Sequence, residues 1–172
     1  MSRWLPILCC ALLITTQSAV AATVGQVVPQ VTIRDANDNP ASLPDYGKKV
    51  IALFISDPDA ADINDPFADK LKQANLDLSV YRGIGVANLP DTYLPNSVIR
   101  AMVRKKIEKY DATILTDVDS TLAKAWGLGD LNGSGAVVVL DKKGVVRFQK
   151  KGAMTAAEIE STHQLVLKLM AE

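Results

Sequence analysis

The sequence predicts an α/β domain in which a mixed β-sheet is covered by helices on both faces. Residues 50–55 and 136–140 are apolar without interruption, which is typical of strands buried on both sides. Between them, apolar residues recur at helical spacing, as at Phe67, Leu71 and Ala74. A strand, a helix and a second strand within residues 50–86 predict a right-handed βαβ unit.

The chain before and after the first apolar strand has clear boundary signals. Residues 31–33 favour a short strand, and residues 35–40 are rich in turn formers, so a hairpin or edge strand is expected there. Asp65 followed by Pro66 predicts a helix whose N-cap is the aspartate and whose first helical residue is the proline. Residues 57–64 are then expected to be loop.

The middle of the chain predicts a second strand and a longer helix. The strand covers residues 78–86, and Gly83 and Gly85 weaken its end. The helix starts at Asn96 and places five residues on one stripe: Ile99, Met102, Val103, Ile107 and Tyr110. A brief strand at 113–115 follows.

The remaining elements complete the sheet and cover it. Asp119 is expected to cap a short helix that ends at Gly127 and places Leu122 and Trp126 in or beside the core. Residues 136–149 predict a hairpin with its tight turn at 141–144. Thr155 and Glu158 form a capping box for a last helix, whose expected core face is Ile159, Val166 and Leu169 or Met170.

The resulting order of elements is that of a thioredoxin-like domain. The βαβ unit is followed by a linking helix, a hairpin and a terminal helix, and extra elements at the start and in the middle suit the peroxiredoxin-like and exported variants. Residues 22–172 have a length that suits a single domain with one core.

The first 21 residues predict a signal peptide rather than part of the fold. Arg3 precedes an apolar run at 4–14, and the small residues 18–21 fit a cleavage site before Ala22. The run is too short for a transmembrane anchor, so we expect a periplasmic protein without a stable membrane anchor. Both cysteines, Cys9 and Cys10, lie in this segment; Cys9 is not the small residue that lipidation at Cys10 would require.

The charge balance excludes an electrostatic nucleic-acid binder. Without Arg3, the chain has 18 basic and 19 acidic residues. A net charge of −1 provides no global basic field for phosphates. A DNA-binding regulator is therefore disfavoured.

Several segments resemble the YtfJ family of small exported bacterial proteins. The hairpin and following helix, GAVVVLDKKGVVRFQKKGAMTAAEI at 135–159, are similar to those of the family, as are VGQVVP at 24–29 and the strand and loop at 50–67. The pattern at 117–128 is common across thioredoxin-like domains. The resemblance implies a thioredoxin-like fold and export, and it assigns no activity.

Two hallmarks of thiol–disulfide chemistry are absent. Ser56-Asp57-Pro58-Asp59 stands where the superfamily has C-x-x-C, and residues 132–135 lack its cis-proline. A thiolate is the required nucleophile, and Ser56 has no activating base in the sequence. We therefore expect no catalytic residue and no cofactor, and a binding or accessory module with an unidentified protein or small-ligand partner.

The alternative is a metal-assisted, thiol-independent enzyme that uses the acidic loop at 56–65. Its candidate ligands are Asp57, Asp59, Asp62 and Asp65. Carboxylate oxygens suit a hard cation, but the spacing does not match an EF-hand loop. We interpret the four residues as helix caps and Asx-turns.

Two further features have structural explanations. His163 is the sole histidine, and it has no identified partner for acid–base chemistry, so we expect a structural residue. Basic residues between Arg100 and Lys109 could contact an acidic partner or anionic headgroups, although an ordinary solvated helix face explains them as well.

Overall fold

The structure is a computed structural model that describes residues 22–90 and 92–172. The predicted signal peptide at 1–21, with Cys9 and Cys10, lies outside the described residues. None of the helices in the described ranges is long and apolar enough to cross a bilayer.

The described residues form seven strands and four helices. The strands are β1 (Thr32–Arg34), β2 (Pro40–Ser42), β3 (Val50–Ser56), β4 (Tyr81–Asn88), β5 (Ile114–Asp117), β6 (Gly135–Leu140) and β7 (Val146–Lys151). The helices are α1 (Asp65–Gln73), α2 (Asn96–Tyr110), α3 (Thr121–Ala125) and α4 (Ala156–Ala171). A single 3₁₀ turn, Pro58–Ala60, lies in the loop before α1.

The strands form one mixed sheet in the order β2-β1-β5-β4-β3-β6-β7. Strands β5, β4 and β3 are parallel, while β6 and β7 extend the sheet as an antiparallel hairpin. The predicted βαβ unit and mixed sheet are confirmed. The uninterrupted apolar sequence of β3 is explained by its central place, since helices or the N-terminal arm cover both of its faces.

Helices cover both faces of the sheet, as expected. Ile51 and Leu53 face a core formed with α3 and the N-terminal arm, where Trp126 is fully buried. Val50 and Ala52 face the opposite core, formed with α1 and α4. Helix α2 packs over β4 and β5 and covers Ala87. Successive side chains of a strand point to opposite faces, and Val86 belongs to the first core, so Ala87 and α2 lie on the second face.

The position of β4 differs from the prediction. It starts at Tyr81 rather than at residue 78, so Gly83 and Gly85 lie inside the strand and not at its end. The cause is a turn whose Asp77 carboxylate accepts from the N–H of Ser79 at 2.8 Å. Asx-turns of this kind compete with strand pairing.

The predicted helix α2 is confirmed, and its apolar stripe is buried only at the centre. Ile99 and Val103 are buried and Ile107 packs against them, but Met102 and Tyr110 are 50% and 51% exposed. The helix rests on the narrow surface that Ala87 and Ile114 offer, so only the centre of the stripe is covered.

The capping box of α4 is confirmed. Thr155 Oγ1 accepts from the Glu158 N–H at 3.2 Å, and Glu158 Oε2 accepts from the Thr155 N–H at 2.7 Å. Glu158 Oε1 also accepts from Lys150 Nζ at 2.8 Å. These donors stabilise the carboxylate and lower the pKa of Glu158 from 4.5 to about 2, the hydrogen bond from Lys150 being the largest cause.

The lowered pKa of Glu158 predicts an acid-dependent stability. Because the folded-state pKa lies below the unfolded value, the contribution of Glu158 is present above pH 4.5 and is lost as the pH falls towards 2. A carboxyl carbon NMR titration should give a midpoint of about 2, and Lys150→Met should raise it. A midpoint unaffected by Lys150→Met would contradict this assignment.

Gly135 is required by the close contact between β6 and β3. A Cβ at this position would lie 2.8 Å from the carbonyl oxygen of Ile55 and 3.1 Å from Cγ2 of Ile63. We expect Gly135→Ala to lower the free energy of unfolding by about 1–3 kcal/mol, measured by urea denaturation. Gly85→Ala is the matched strand control, because its Cβ would meet only Ile114 at 3.4 Å. Equal losses in the two variants would show that the contact is not the cause.

Candidate functional site

Polar side chains lie at the carboxyl ends of the three parallel strands. Asp57 follows β3, Asn88 ends β4 and Asp117 ends β5, and each is at most 1% exposed. Asn88 and Asp117 are paired in the parallel register. Ligand sites in α/β sheets usually lie at this edge, so these residues are the first candidates.

Asp57 is used to join two loops. Its Oδ1 accepts from the Asp59 N–H at 2.9 Å and its Oδ2 accepts from the Gly133 N–H at 2.8 Å. Its own N–H donates to the Ser134 carbonyl at 2.9 Å. The carboxylate therefore holds the loop after β3 against the loop before β6.

The acidic loop does not form a metal centre in the described part of the chain. Asp59, Asp62 and Asp65 are exposed, and the described residues contain no group of three or more side chains that could hold a metal ion. Partial burial raises the pKa of Asp65, opposed by the charge of Lys106. The four aspartates are not brought together around one point.

Asp65 is not the N-cap of α1, contrary to the sequence expectation. The helix starts at Asp65, and Asn64 occupies the cap position without a side-chain cap bond. The Asn64 amide instead donates to the Gly152 carbonyl at 3.2 Å and accepts from the Met154 N–H at 3.0 Å. This buried side chain joins α1 to the segment before α4.

Asp117, and not the predicted Asp119, caps α3. Its carboxylate accepts from the N–H groups of Thr121, Leu122 and Ala123 at 2.7, 2.9 and 3.3 Å. Burial raises the pKa of Asp117, and the three N–H donors oppose that rise. The exposed Asp119 carboxylate accepts from the Thr121 hydroxyl at 2.6 Å and from no N–H group of α3 in the described structure.

Asn88 differs from the two aspartates because its side-chain oxygen is unpaired. Within the described structure, the buried Oδ1 has no hydrogen-bond partner. Asn88 lines a cleft of about 480 Å³ on the α3 side of the sheet. The other lining residues are Ser120, Ala123, Lys124, Gly127, Gly129, Asp130 and Leu131.

The cleft brings hydrogen-bonding groups of both kinds together. Lys124 Nζ lies at its rim and donates to the Asp119 carbonyl at 2.7 Å, while Asp130 Oδ1 accepts from the Asn132 N–H at 2.9 Å. An unpaired buried oxygen costs free energy unless a partner is supplied. The arrangement is therefore suited to a ligand that donates a hydrogen bond to Asn88.

His163 lies on α4, away from this cleft. The ring is half-buried, and neither ring nitrogen has a hydrogen-bond partner among the described residues. No carboxylate or serine in residues 22–90 and 92–172 bonds the ring and orients it for acid–base chemistry.

The basic residues of α2 form two groups, arginines that bond the turn after β1 and lysines that are exposed to solvent. Arg100 pairs with Asp38 at 2.5 Å, and Arg104 donates to the Ala36 carbonyl at 2.7 Å. These arginines stabilise the turn between β1 and β2. Lys105, Lys106 and Lys109 are exposed.

The family model described as "Bacterial protein of unknown function (YtfJ_HI0045)" matches residues 23–169. The chain belongs to the YtfJ family. It is similar to "Uncharacterized protein YtfJ" of Escherichia coli K12, with 29% identity over 180 residues and 95% of each chain covered. It is also similar to an uncharacterized protein of Haemophilus influenzae, at 26% identity over 109 residues, or 62% of this chain and 58% of that protein.

Solved structures place this YtfJ-family chain in the thioredoxin-like fold. The thioredoxin-like superfamily protein SPOA0173 superposes with a TM-score of 0.62 at 17% identity, covering 85% of this chain and 97% of that one. The thiol peroxidase of Chromobacterium violaceum superposes with a TM-score of 0.60 at 14% identity, covering 85% of this chain and 87% of that one. The peroxiredoxin-like protein of Aquifex aeolicus superposes with a TM-score of 0.57 at 13% identity, covering 83% of this chain and 86% of that one. The predicted thioredoxin-like, peroxiredoxin-like fold is confirmed.

Sequence reasoning missed Asn88 and Asp117 in this YtfJ-family chain. The predicted second strand stops at residue 86, which leaves Asn88 outside it, and the predicted cap of the short helix is Asp119. A polar residue directly after each apolar strand was the available signal, because parallel strands end at one edge.

The role of Asp117 predicts a contrast between two neighbouring aspartates. Asp117→Ala should lower the free energy of unfolding by about 1–2 kcal/mol, because three N–H groups lose their acceptor. Asp119→Ala should change it by less than about 0.5 kcal/mol, as is usual for an exposed residue. Guanidinium denaturation measures both values, and a larger loss for Asp119→Ala would contradict the assignment.

Proposed function

We propose that this YtfJ-family chain is a periplasmic, thiol-independent binding domain that takes a small polar ligand in the cleft beside Asn88. The observation that favours this proposal is the buried Asn88 Oδ1, which has no partner in the described structure and belongs to a residue that lines the cleft. Binding pockets typically measure 300–1,000 Å³ and contain a few placed polar groups, and the cleft of about 480 Å³ agrees with this range.

The absence of thiols supports a function other than redox exchange. Residues 22–172 contain no cysteine, and disulfide exchange requires a thiolate. At the corresponding place after β3, Asp57 bonds two backbone N–H groups and joins two loops. The edge of the sheet is thereby kept in shape without a reactive group.

The lining of the cleft indicates the chemistry of the ligand. Asn88 Oδ1 requires a donor, Lys124 provides a positive charge and Asp130 a negative one. A small molecule with both an amino or hydroxyl donor and an anionic group, such as an amino acid, complements all three.

The second candidate, a metal-assisted enzyme using the 56–65 loop, is less well supported. Both oxygens of Asp57 already accept backbone hydrogen bonds, and the described residues bring no group of three or more possible metal ligands together. The periplasmic location is supported by the signal-peptide pattern at 1–21. N-terminal sequencing of the protein from the periplasmic fraction would test it.

Asn88→Leu is the variant that tests the cleft. The free variant should unfold at an unchanged or higher temperature, because it removes an unpaired buried oxygen that costs about 1–3 kcal/mol. We expect a panel of free amino acids and hydroxycarboxylic acids to include a compound that raises the melting temperature of the unaltered protein by mass action. The same compound should give no shift with Asn88→Leu.

Thr162→Val is the matched control for this experiment. Thr162 Oγ1 is also buried without a partner in the described structure, but it lies on α4 outside the cleft. Thr162→Val should keep the ligand-dependent shift. A shift retained in Asn88→Leu would overturn the cleft assignment, and a shift with a divalent cation that is lost in Asp57→Ala would favour the metal-assisted enzyme.

A further inference from the structure

The outward face of α2 combines exposed apolar side chains with lysines. Val98, Met102, Lys105 and Lys109 follow one another at helical spacing on one stripe, and Lys106 lies beside them. Val98 and Met102 are 42% and 50% exposed. We call this surface, together with the residues just before α2, the α2 face.

The segment before α2 extends the apolar part of the α2 face. Tyr93 is 99% exposed and Leu94 is 43% exposed, and both precede the helix start at Asn96. Four apolar side chains thus project from one end of the helix: Tyr93, Leu94, Val98 and Met102. None of them lines the cleft beside Asn88.

The other end of the α2 face is basic and lacks internal ion pairs. Lys72 of α1 and Lys109 place their ammonium groups 5.4 and 4.9 Å from the ring centroid of Tyr110. Lys105 and Lys106 complete the cluster. None of these lysines is in an ion pair within the described part of the chain, whereas the arginines of the same helix bond the 35–39 turn.

Acidic residues also lie near the α2 face, and Asp62 and Asp69 are close enough to Asp65 to affect its pKa. Glu108 lies on the neighbouring flank of the helix, about 100° from Lys109. Asp65 is close enough to Lys106 for its pKa to be affected. Asp111 follows the helix. None of these carboxylates forms an ion pair with the lysine cluster in the described structure, so the ammonium groups are open to an anionic partner.

We propose that the α2 face binds peripherally to an anionic lipid bilayer. Its four apolar side chains enter the headgroup region, where tyrosine is favoured, and the lysine cluster contacts lipid phosphates. Exposed apolar side chains suit a deformable lipid surface, and basic residues with exposed apolar neighbours are the pattern of interfacial helices. The contact is independent of the cleft, which lies on the opposite face of the sheet.

Vesicle sedimentation tests this interaction. The protein is expressed from its full-length sequence, purified as processed by the cell, and mixed with phosphatidylcholine vesicles with or without phosphatidylglycerol. We expect binding that requires phosphatidylglycerol and weakens with salt. The triple variant Lys105→Gln, Lys106→Gln, Lys109→Gln should partition about a hundredfold more weakly, since each basic residue contributes roughly a fivefold change.

A matched triple variant separates the α2 face from general charge attraction. Lys48→Gln, Lys143→Gln and Lys168→Gln remove the same charge from exposed positions elsewhere, and binding should be retained. Equal loss in both triple variants would overturn the assignment to the α2 face. Absence of binding to phosphatidylglycerol vesicles would overturn the lipid proposal and leave an acidic protein as the partner.

A second variant tests the apolar contribution. Leu94→Ser with Met102→Ser should weaken partitioning even at high salt, where the lysine contribution is screened. Both side chains are exposed, so circular dichroism should show an unchanged fold. Unchanged partitioning of this variant would overturn the insertion of apolar side chains.

Discussion

Buried carboxylates that accept backbone N–H groups organise the carboxyl edge of the sheet. Asp57 accepts from Asp59 and Gly133, and Asp117 accepts from three successive N–H groups of α3. Buried backbone groups must find partners, and at strand ends the ladder no longer provides them. The two aspartates supply those acceptors, and the loops and α3 take their positions from them.

The requirement that buried polar groups find hydrogen-bond partners also identifies the residue that is available for a ligand. Asp57 and Asp117 lie at the ends of β3 and β5, and their carboxylates accept hydrogen bonds from the protein's own backbone. Asn88 lies at the end of β4, between those two strands, and its oxygen has no partner in the described structure. A thioredoxin-like domain normally has its reactive group at this edge. Here the edge keeps its geometry through hydrogen bonds, and the Asn88 oxygen, which has no partner among the described residues, belongs to a side chain that lines the cleft.

The two faces of the sheet separate the two proposed contacts. Helix α3 borders the cleft on one face, and α2 presents its lysines and apolar side chains on the other. Alternation along β4 is the cause, because Val86 faces the α3 core while Ala87 faces α2. A chain bound to a lipid surface through α2 would therefore keep its cleft accessible.

Local sequence patterns were sufficient for the fold class, for β3, β6 and the hairpin, and for the capping box of α4, because runs of apolar residues and adjacent capping residues act over short distances. They were insufficient for the site. Asp57 meets Gly133 across 76 positions and Asn64 meets Gly152 across 88, and no local pattern specifies such a pairing. A polar residue after an apolar strand looks the same whether it bonds a distant loop, caps a helix or remains unpaired. Long-range packing joined Asp57 to a distant loop and left Asn88 Oδ1 without a partner in the described structure, whereas Asp117 bonds N–H groups only four to six positions away. Packing also left Met102 and Tyr110 exposed on α2, because the surface beneath the helix is narrow.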